Sequence, residues 1–381
     1  MYELKTEKKN NLYILILIIA LVVLFTILAY TIFLDNHKYQ YTQNVTATQV
    51  RIKETENFED ILERVTESTV GVSKIKDIGT TIFLEKSTEN LNLGSGIIIS
   101  KEGYILTNQH VAGEKYSTCY ITLKNGVTDN GVVVWASKDM DLAIIKINIK
   151  ELPAANLGDS DQIKIGTSVY AIGNPVGYEL QRTVTSGIIS GINRTIKVEE
   201  EDKKTYLEGL IQTDATINQG NSGGPLINKN GEIIGITTLK VEDAEGIGFA
   251  IPINIVKPIL QKLLENGKFD EPYIGIYGYD TGVIPYLSSN INFEEGIYIE
   301  EVDSAGPLKN SQLKKGDIIE KIDNTQIESM NHLKEYIYSK NIGDEVVLTI
   351  KRNKQEIQMK VKLVKKSWHK LRERIYFCLI L

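Results

Sequence analysis

The sequence predicts a transmembrane helix, then an all-β region large enough for two barrels, then a smaller module of mixed α and β structure. Residues 12–34 form an apolar run without a charge. Between residues 70 and 252, short β-rich runs alternate with Gly, Asn and Asp, and no long helical period interrupts them, which is typical of β-barrels. Residues 272–364 then combine short strands with one helical segment at 329–339.

Length and composition narrow the class of protein. The chain has 381 residues, which favours two or three domains. Apolar residues make up 42 % and charged residues 24 %, which excludes disordered and collagen-like chains. The net charge of −6 argues against a nucleic-acid partner, because such proteins usually present a basic face. Two cysteines, Cys119 and Cys378, exclude a disulfide scaffold and a cysteine-based zinc site, and both thiols are expected to be free.

The apolar run at 12–34 is long enough to cross a membrane. At 1.5 Å per residue it spans about 35 Å, against a hydrocarbon core of about 30 Å. Lysines precede it within residues 1–11 and Asp35 follows it, so the positive-inside rule keeps the N-terminus in the cytoplasm. A cleaved signal peptide would have a shorter apolar region and an A-x-A-like site. We therefore predict an uncleaved signal-anchor that places the rest of the chain outside the cytoplasm.

The remaining elements follow in order. Residues 35–57 are polar, lack a core pattern and are interpreted as a linker. A short helix is predicted from residue 58, at the start of a domain that runs to 268. Residues 255–266 have helical spacing, and Gly267 is the expected stop. This arrangement places the all-β region between two flanking helices.

The hexapeptide GNSGGP at 220–225 is the first candidate for chemistry. A serine nucleophile needs a base, and it needs backbone N–H groups aimed at the oxyanion that forms on the attacked carbonyl. Glycines around Ser222 allow a tight turn that collects such groups. Gly, Asn and Ser are also ordinary hairpin-turn residues, so the hexapeptide alone fits both interpretations.

Two further segments favour the catalytic interpretation. His110 follows a predicted strand in the sequence TNQHV, and Asp141 precedes the apolar strand LAIIK. Each has an alternative: a lone histidine is often structural, and an aspartate can simply begin a strand. Together with Ser222 they give the order His, Asp, Ser, which is that of the chymotrypsin-type double barrel.

The hexapeptide also matches G-x-S-x-G, the nucleophile motif of α/β-hydrolases. That fold orders its triad Ser, Asp, His and places the serine on a strand-to-helix turn. Here Ser222 is followed by LINKNGEIIGITTL, which predicts a hairpin. His332 and His369 follow Ser222, but neither lies in a recognisable catalytic loop. The α/β-hydrolase interpretation is therefore disfavoured.

Taken together, these motifs resemble those of a known family. The sequence is similar to the HtrA (DegP/DegS-like) family of ATP-independent serine proteases, with a chymotrypsin-like double β-barrel protease domain (58–268) and one C-terminal PDZ domain (272–364). The matching segments lie in family order between residues 94 and 252: GSGIIISKEGYILTNQHV, DMDLAIIKI, AIGNPVG, TVTSGIIS, IQTDATINQGNSGGPLIN, GEIIGI and GIGFAIP.

The resemblance implies a set of functional residues in the protease domain. It implies a catalytic triad, an oxyanion hole made of three backbone N–H groups, a loop that lines the pocket for the residue before the scissile bond, and a basic residue that senses PDZ occupancy. The implied triad is His110, Asp141 and Ser222, and the implied oxyanion hole is made of Gly220, Asn221 and Ser222. The implied pocket loop is Ile247, Gly248, Phe249 and Ala250. The implied sensor is Arg194, expected in the loop after TSGIISGI. Asp139 would be a bystander. With no acid in the pocket loop, small or medium aliphatic side chains are the expected preference.

In the second module the resemblance implies a carboxylate-binding loop at Tyr273, Ile274, Gly275 and Ile276. Backbone N–H groups there would capture a peptide C-terminus while the peptide adds as a strand to a sheet edge. The segments SAGP, LKKGDII and ID match the PDZ core signature. The tail at 365–381 is basic and partly apolar, and it is interpreted as a frayed extension, a helix on its own domain or a membrane-surface segment.

The resemblance as a whole implies an endopeptidase at the outer face of the cell membrane. It would cleave unfolded or mislocalised exported proteins in protein quality control and stress response, without ATP, metal or another cofactor, and would assemble as a homotrimer. Two alternatives remain open from the sequence: a regulatory protease for one signalling substrate, and a non-proteolytic PDZ holdase or scaffold.

Overall fold

A computed structural model describes residues 16–32, 57–75, 91–173, 182–200, 203–218, 220–240, 245–287, 291 and 293–366. The chain divides after Asn57 into two units. The predicted linker before Asn57 and residues 367–381 of the predicted tail, including Cys378, lie outside the described residues.

In the N-terminal unit, residues 16–32 form helix α1, whose side chains are exposed. The hydroxyls of Thr26 and Thr31 donate to carbonyls one turn earlier, which satisfies these polar groups within the helix. Within the described residues, no helix is both long enough and apolar enough to span a membrane. The ends of the predicted span, 12–15 and 33–34, lie outside the described residues.

The second unit begins with helix α2 (Phe58–Glu67) and continues into a closed six-stranded barrel. The strands pair in the order β1-β2-β3-β6-β5-β4. Their bounds are β1 (Thr69–Ile75), β2 (Leu91–Ile98), β3 (Tyr104–Thr107), β4 (Thr118–Thr122), β5 (Thr128–Ser137) and β6 (Leu142–Lys146), with the short helix α3 (Gln109–Ala112) after β3. Ile145 points into the barrel core and Ile144 into the cluster outside it, so both faces of β6 are buried. This is why the LAIIK run shows no alternation of polar residues.

A second closed barrel follows, with the strand order β10-β11-β12-β9-β8-β7. Its strands are β7 (Ser168–Gly173), β8 (Thr183–Glu200), β9 (Lys203–Thr213), β10 (Pro225–Ile227), β11 (Ile233–Lys240) and β12 (Gly248–Pro252). A 3₁₀ turn (Ile253–Val256) then leads into helix α4 (Lys257–Asn266). Gly267 ends this helix in the left-handed conformation, φ 68°, as its predicted role as a stop requires.

The last module contains a six-stranded antiparallel sheet and one helix. The sheet order is β14-β15-β16-β18-β19, with β17 on β16, and β13 pairs separately with β20. The bounds are β13 (Pro272–Tyr273), β14 (Ile276–Tyr279), β15 (Ile297–Val302), β16 (Ile318–Ile322), β17 (Thr325–Gln326), helix α5 (Met330–Ser339), β18 (Glu345–Arg352), β19 (Gln355–Lys362) and β20 (Val364–Lys365). The hydroxyl of Ser329 accepts the N–H of His332 and caps α5 at the predicted place.

Candidate active site

His110, Asp141 and Ser222 come from three separate segments. His110 lies on α3, Asp141 directly precedes β6, and Ser222 lies in the turn before β10. The first two belong to the first barrel and the third belongs to the second. The segment at Ser222 nevertheless rests on the first barrel, because the Ser95 N–H donates to the Ser222 carbonyl (2.8 Å) and the Ser95 hydroxyl donates to the Gly220 carbonyl (2.6 Å).

The carboxylate of Asp141 lies directly against the His110 ring. Nδ1 of His110 is 2.9 Å from each carboxylate oxygen, and the His110 backbone N–H donates to Oδ1 at 3.0 Å. The Asp141 carbonyl accepts from the Asn108 amide (2.9 Å) and from the Gln109 N–H (3.2 Å). Asp141 has φ 50°, which non-glycine residues rarely adopt, so these bonds hold a strained backbone in place.

Thr238 of β11 is a site residue that the sequence analysis missed. Its hydroxyl donates to Oδ2 of Asp141 at 2.6 Å, from 97 positions away in the chain. Its carbonyl accepts the hydroxyl of Ser222 at 2.9 Å. Thr238 therefore contacts the acid with its side chain and the serine with its backbone. The only sequence signal is its place in the GITTL strand after the GNSGGP motif.

The hydroxyl of Ser222 donates to the Thr238 carbonyl, and no hydrogen bond joins it to the His110 ring in the described part of the chain. The His110 side chain is 46 % exposed, so part of the ring is open to solvent. His110 and Asp141 are thus hydrogen-bonded to each other, while the Ser222 hydroxyl is bonded elsewhere.

Glycines shape the turn around Ser222. Gly220, with φ 98°, occupies the third position of a turn closed by the Asn221 N–H on the Asn218 carbonyl (2.9 Å). Gly223 has φ 84°, and a Cβ there would lie 2.2 Å from the Ser95 carbonyl. Of the three N–H groups expected in the oxyanion hole, that of Asn221 is already bonded, and those of Gly220 and Ser222 have no acceptor among the described residues.

The predicted pocket residues lie at the start of β12, but they do not share one environment. Ile247 is half-buried, Phe249 packs into the large core cluster, and Ala250 faces the core of the second barrel. Gly248 faces Ile217, because a Cβ at Gly248 would lie 2.5 Å from Ile217 Cγ1. Ile217, five positions before Ser222, is a second residue that the sequence analysis missed.

The environment of His110 changes its proton affinity. Burial alone lowers the pKa of the imidazole, because it disfavours the charged form. The hydrogen bond that His110 donates to Asp141 and the negative charge of that carboxylate act in the opposite direction and raise the pKa. Together they outweigh burial, so the pKa of His110 lies above its ordinary value of 6.5.

Arg194 corrects one expectation. The sequence analysis expected a loop, but Arg194 lies within β8, which continues past Gly191 through three register shifts against β9. Its Nε donates to the Gln212 side chain at 3.0 Å. The strand continues because these bulges absorb the irregular segment without ending the pairing. Arg194 makes no hydrogen bond to the described residues around Ser222.

Asp139 does not contact His110. Its side chain is 63 % exposed, and its carboxylate lies 3.7 Å from Nζ of Lys366, at the end of the last module.

The expected carboxylate loop lies at an open sheet edge. Tyr273 ends β13, Ile274 is buried, and Ile276 begins β14, which pairs with β15 alone among the described strands. Gly275 has φ 87°, and a Cβ there would lie 2.7 Å from Pro307.

Comparison with known proteins gives two family matches. Residues 94–236 match the trypsin-like peptidase domain, and residues 272–363 match the PDZ domain. The chain is 37 % identical over 330 residues to the serine protease Do-like HtrA of Bacillus subtilis, covering 81 % of this chain and 73 % of that protein. This chain belongs to the HtrA family. It is a serine endopeptidase with a trypsin-like domain and one PDZ domain.

Two further HtrA relatives agree. The probable periplasmic serine endoprotease DegP-like of Buchnera aphidicola is 34 % identical over 376 residues, covering 91 % of this chain and 79 % of that protein. The solved structure of the HtrA-type protease AlgW with a tripeptide is 30 % identical with a TM-score of 0.60, covering 82 % of this chain and 98 % of that one. The similarity thus extends over both the protease and the PDZ domains.

Proposed function

We propose that this HtrA protease cleaves unfolded or mislocalised exported proteins, with Ser222 as nucleophile, His110 as general base and Asp141 as its orienting carboxylate. Ser222 Oγ attacks the scissile carbonyl while His110 Nε2 takes its proton. His110 then gives this proton to the leaving amine, and water hydrolyses the acyl-enzyme by the same route. The contact between Asp141 and Nδ1 of His110 supports this most directly, because it leaves Nε2 as the basic nitrogen.

The oxyanion is stabilised by two N–H groups in this proposal. Those of Gly220 and Ser222 are free to donate, whereas that of Asn221 closes a turn. Substrate binding also activates the serine. An extended substrate places an N–H at the Thr238 carbonyl, which displaces the Ser222 hydroxyl and lets it turn to His110.

The pocket for the residue before the scissile bond is small. Ile217 lies against Gly248 at the floor of the loop that the sequence assigns to this pocket. Ile217 is itself buried in a cluster of apolar residues. A long basic side chain would lose its hydration there without gaining a partner. We therefore expect cleavage after small or medium aliphatic residues.

The PDZ domain binds peptide C-termini and modulates the protease. The edge strand β14 offers unpaired backbone groups to an added peptide strand, and the Gly275 loop offers N–H groups to a carboxylate. We further propose that the apolar run at 12–34, of which α1 is part, tethers the protein to the cell membrane with the catalytic domain outside the cytoplasm. A homotrimer and a role for Arg194 in sensing the PDZ state complete the proposal.

Casein digestion tests the proposal. The purified protein and its Ser222→Ala variant are incubated with reduced casein, with and without a peptide that has a hydrophobic C-terminus. We expect cleavage by the parent protein, a loss of activity of about 10⁶-fold in the variant, and stimulation by the peptide. Equal rates for the two proteins would overturn the role of Ser222. A survey of cleaved proteins in cells then separates quality control, with many products, from a regulatory protease with one.

A further inference from the structure

The PDZ domain contacts the second barrel along strand β9, and two of the polar contacts involve Glu208. The Asp280 N–H donates to Oε2 of Glu208 at 3.1 Å, and the Asn331 amide donates to the Glu208 carbonyl at 3.2 Å. Beside them, the Tyr286 hydroxyl donates to the Thr195 carbonyl at 3.0 Å. Glu208 therefore bonds to the PDZ domain with both its side chain and its carbonyl.

Asp280 links the edge strand β14, where the peptide is expected to add, to helix α5. It directly follows β14, the edge strand, and it is 5 % exposed. Its Oδ1 accepts the Gly282 N–H (2.9 Å), and its Oδ2 accepts the Met330 N–H (3.2 Å) at the first residue of α5. A change in the charge or position of Asp280 thus reaches β14 and α5 together.

The charges around this pair are mixed. Glu208 faces Asp280 from the PDZ sheet, Lys334 from α5, Asp139 from the turn before β6 and Tyr279 from β14. A small cleft lies beside Glu208. It is lined by Asp139, Met140, Tyr206, Leu207, Glu208, Leu210, Ile251, Ile255, Asn331 and Lys334. Apart from Lys334, the groups that face Glu208 are negative or neutral, so a second negative charge is poorly compensated.

Because the Asp280 N–H bonds to the Glu208 carboxyl, the negative charge of Asp280 lies near it and disfavours a second negative charge there. Burial raises the pKa of Glu208, and the negative charge of Asp280 raises it further. The Asp280 N–H and Lys334 oppose this rise without cancelling it, and the pKa of Glu208 reaches about 8. Near neutral pH the pair holds one proton.

We propose that Glu208 and Asp280 form a proton-dependent latch between the two domains of this protease. With one proton on the pair, the PDZ domain is held against β9 and Asp280 is held between β14 and α5. When the proton is lost, the negative charges of buried Asp280 and partly buried Glu208 repel across the contact and the latch weakens. The effect on peptide affinity rests on the proposed function of the PDZ groove, whereas the latch itself does not.

Stability against pH tests the latch directly. Urea unfolding of the full chain is measured from pH 5 to pH 9 for the parent protein and for Glu208→Gln, a neutral isostere of the protonated acid. Glu320→Gln is the matched control, because Glu320 pairs with Lys351 within the PDZ sheet, away from β9.

The folded state holds the Glu208 proton up to a pH of about 8, whereas the unfolded chain releases it near 4.5. Folding therefore takes up a proton between these values, and stability falls as pH rises through this window. We expect the folded-to-unfolded ratio of the parent to drop by up to about tenfold per pH unit relative to Glu208→Gln, and to level off above pH 8. Glu320→Gln should follow the parent. Parallel curves for the parent and Glu208→Gln would overturn the latch.

Two measurements complete the test. The first is hydrogen exchange of the Met330 amide in the parent protein, corrected for intrinsic exchange. This amide should lose protection as pH passes 8. Unchanged protection would contradict the latch, even if Glu208→Gln fails to fold. The dissociation constant of a fluorescent peptide with a hydrophobic C-terminus should rise several-fold from pH 7 to pH 9 in the parent and stay constant in Glu208→Gln. If no peptide binds at any pH, the proposed groove function fails, while the unfolding curves still decide the latch.

Discussion

The two sides of the active site are held in different ways. On the first barrel, Asp141 and His110 are fixed by five hydrogen bonds to the acid, from three neighbouring residues and from Thr238 across the cleft. On the second barrel, the hydroxyl of Ser222 has one partner, the Thr238 carbonyl. In the proposed mechanism, the acid–base side is therefore preorganised, and the nucleophile side is completed when the Ser222 hydroxyl exchanges Thr238 for His110. We therefore expect control of activity to act on the serine.

The largest effect is expected from removing the charge of Asp141. Asp141→Asn keeps the shape of the acid but removes the charge that orients His110 and stabilises its protonated form. We expect kcat/KM for a peptide substrate to fall by about 10⁴-fold. Asp139→Asn is the control two positions away, and its exposed side chain should leave kcat/KM within about twofold. Similar losses in both variants would contradict the assignment of the acid.

The next effect concerns Thr238, which links the two sides. Thr238→Val removes the hydroxyl that donates to Asp141 and keeps the carbonyl that holds Ser222. A hydrogen bond to a buried carboxylate contributes about 1.5–3 kcal/mol, so we expect kcat to fall by about 10- to 100-fold with little change in KM. Thr238→Ser restores the donor and should restore kcat. If Ser performs no better than Val, the hydroxyl has no role in catalysis.

A smaller effect, on substrate preference, is expected from a substitution at Ile217, on the same side of the site as Ser222. Ile217→Ala opens space opposite Gly248, so the preference should shift by about tenfold toward longer aliphatic side chains such as leucine. Cleavage of peptides that differ only before the scissile bond measures this shift. Ile234→Ala, in the same core cluster, is the control for a general loss of packing. An identical shift in both variants would mean that Ile217 does not line the pocket.

The smallest expected effect is on pH dependence. His110 must be neutral to accept a proton, and its pKa is raised above 6.5 because the hydrogen bond and charge of Asp141 outweigh burial. The acidic limb of kcat/KM should therefore have its midpoint above pH 6.5, with activity falling below it. In Asp141→Asn the midpoint should move to lower pH. A parent midpoint at or below 6.5 would show that burial dominates the site.

The sequence predicted the elements whose signal is local. The strands of both barrels, the stop at Gly267 and the helix at 329–339 follow from patterns of a few residues. His110, Asp141 and Ser222 were predicted because their order and motifs resemble a known family, and the structure brings the first two into contact. Thr238 and Ile217 were missed because their roles arise from strand pairing across the cleft. Arg194 was misplaced because β-bulges let a strand pass through residues that look like a turn.

The contacts of Ser95 affect when the active site forms during synthesis of the chain. The turn that carries Ser222 is bonded to a residue 125 or more positions earlier, and its glycines fit against that same segment of the first barrel. A growing chain that has completed the first barrel alone holds a base without a nucleophile. The serine enters its place when β10 and β11 have joined the second barrel and that barrel has docked. Proteolytic competence thus arrives late in synthesis, and a half-made molecule is unable to digest its neighbours.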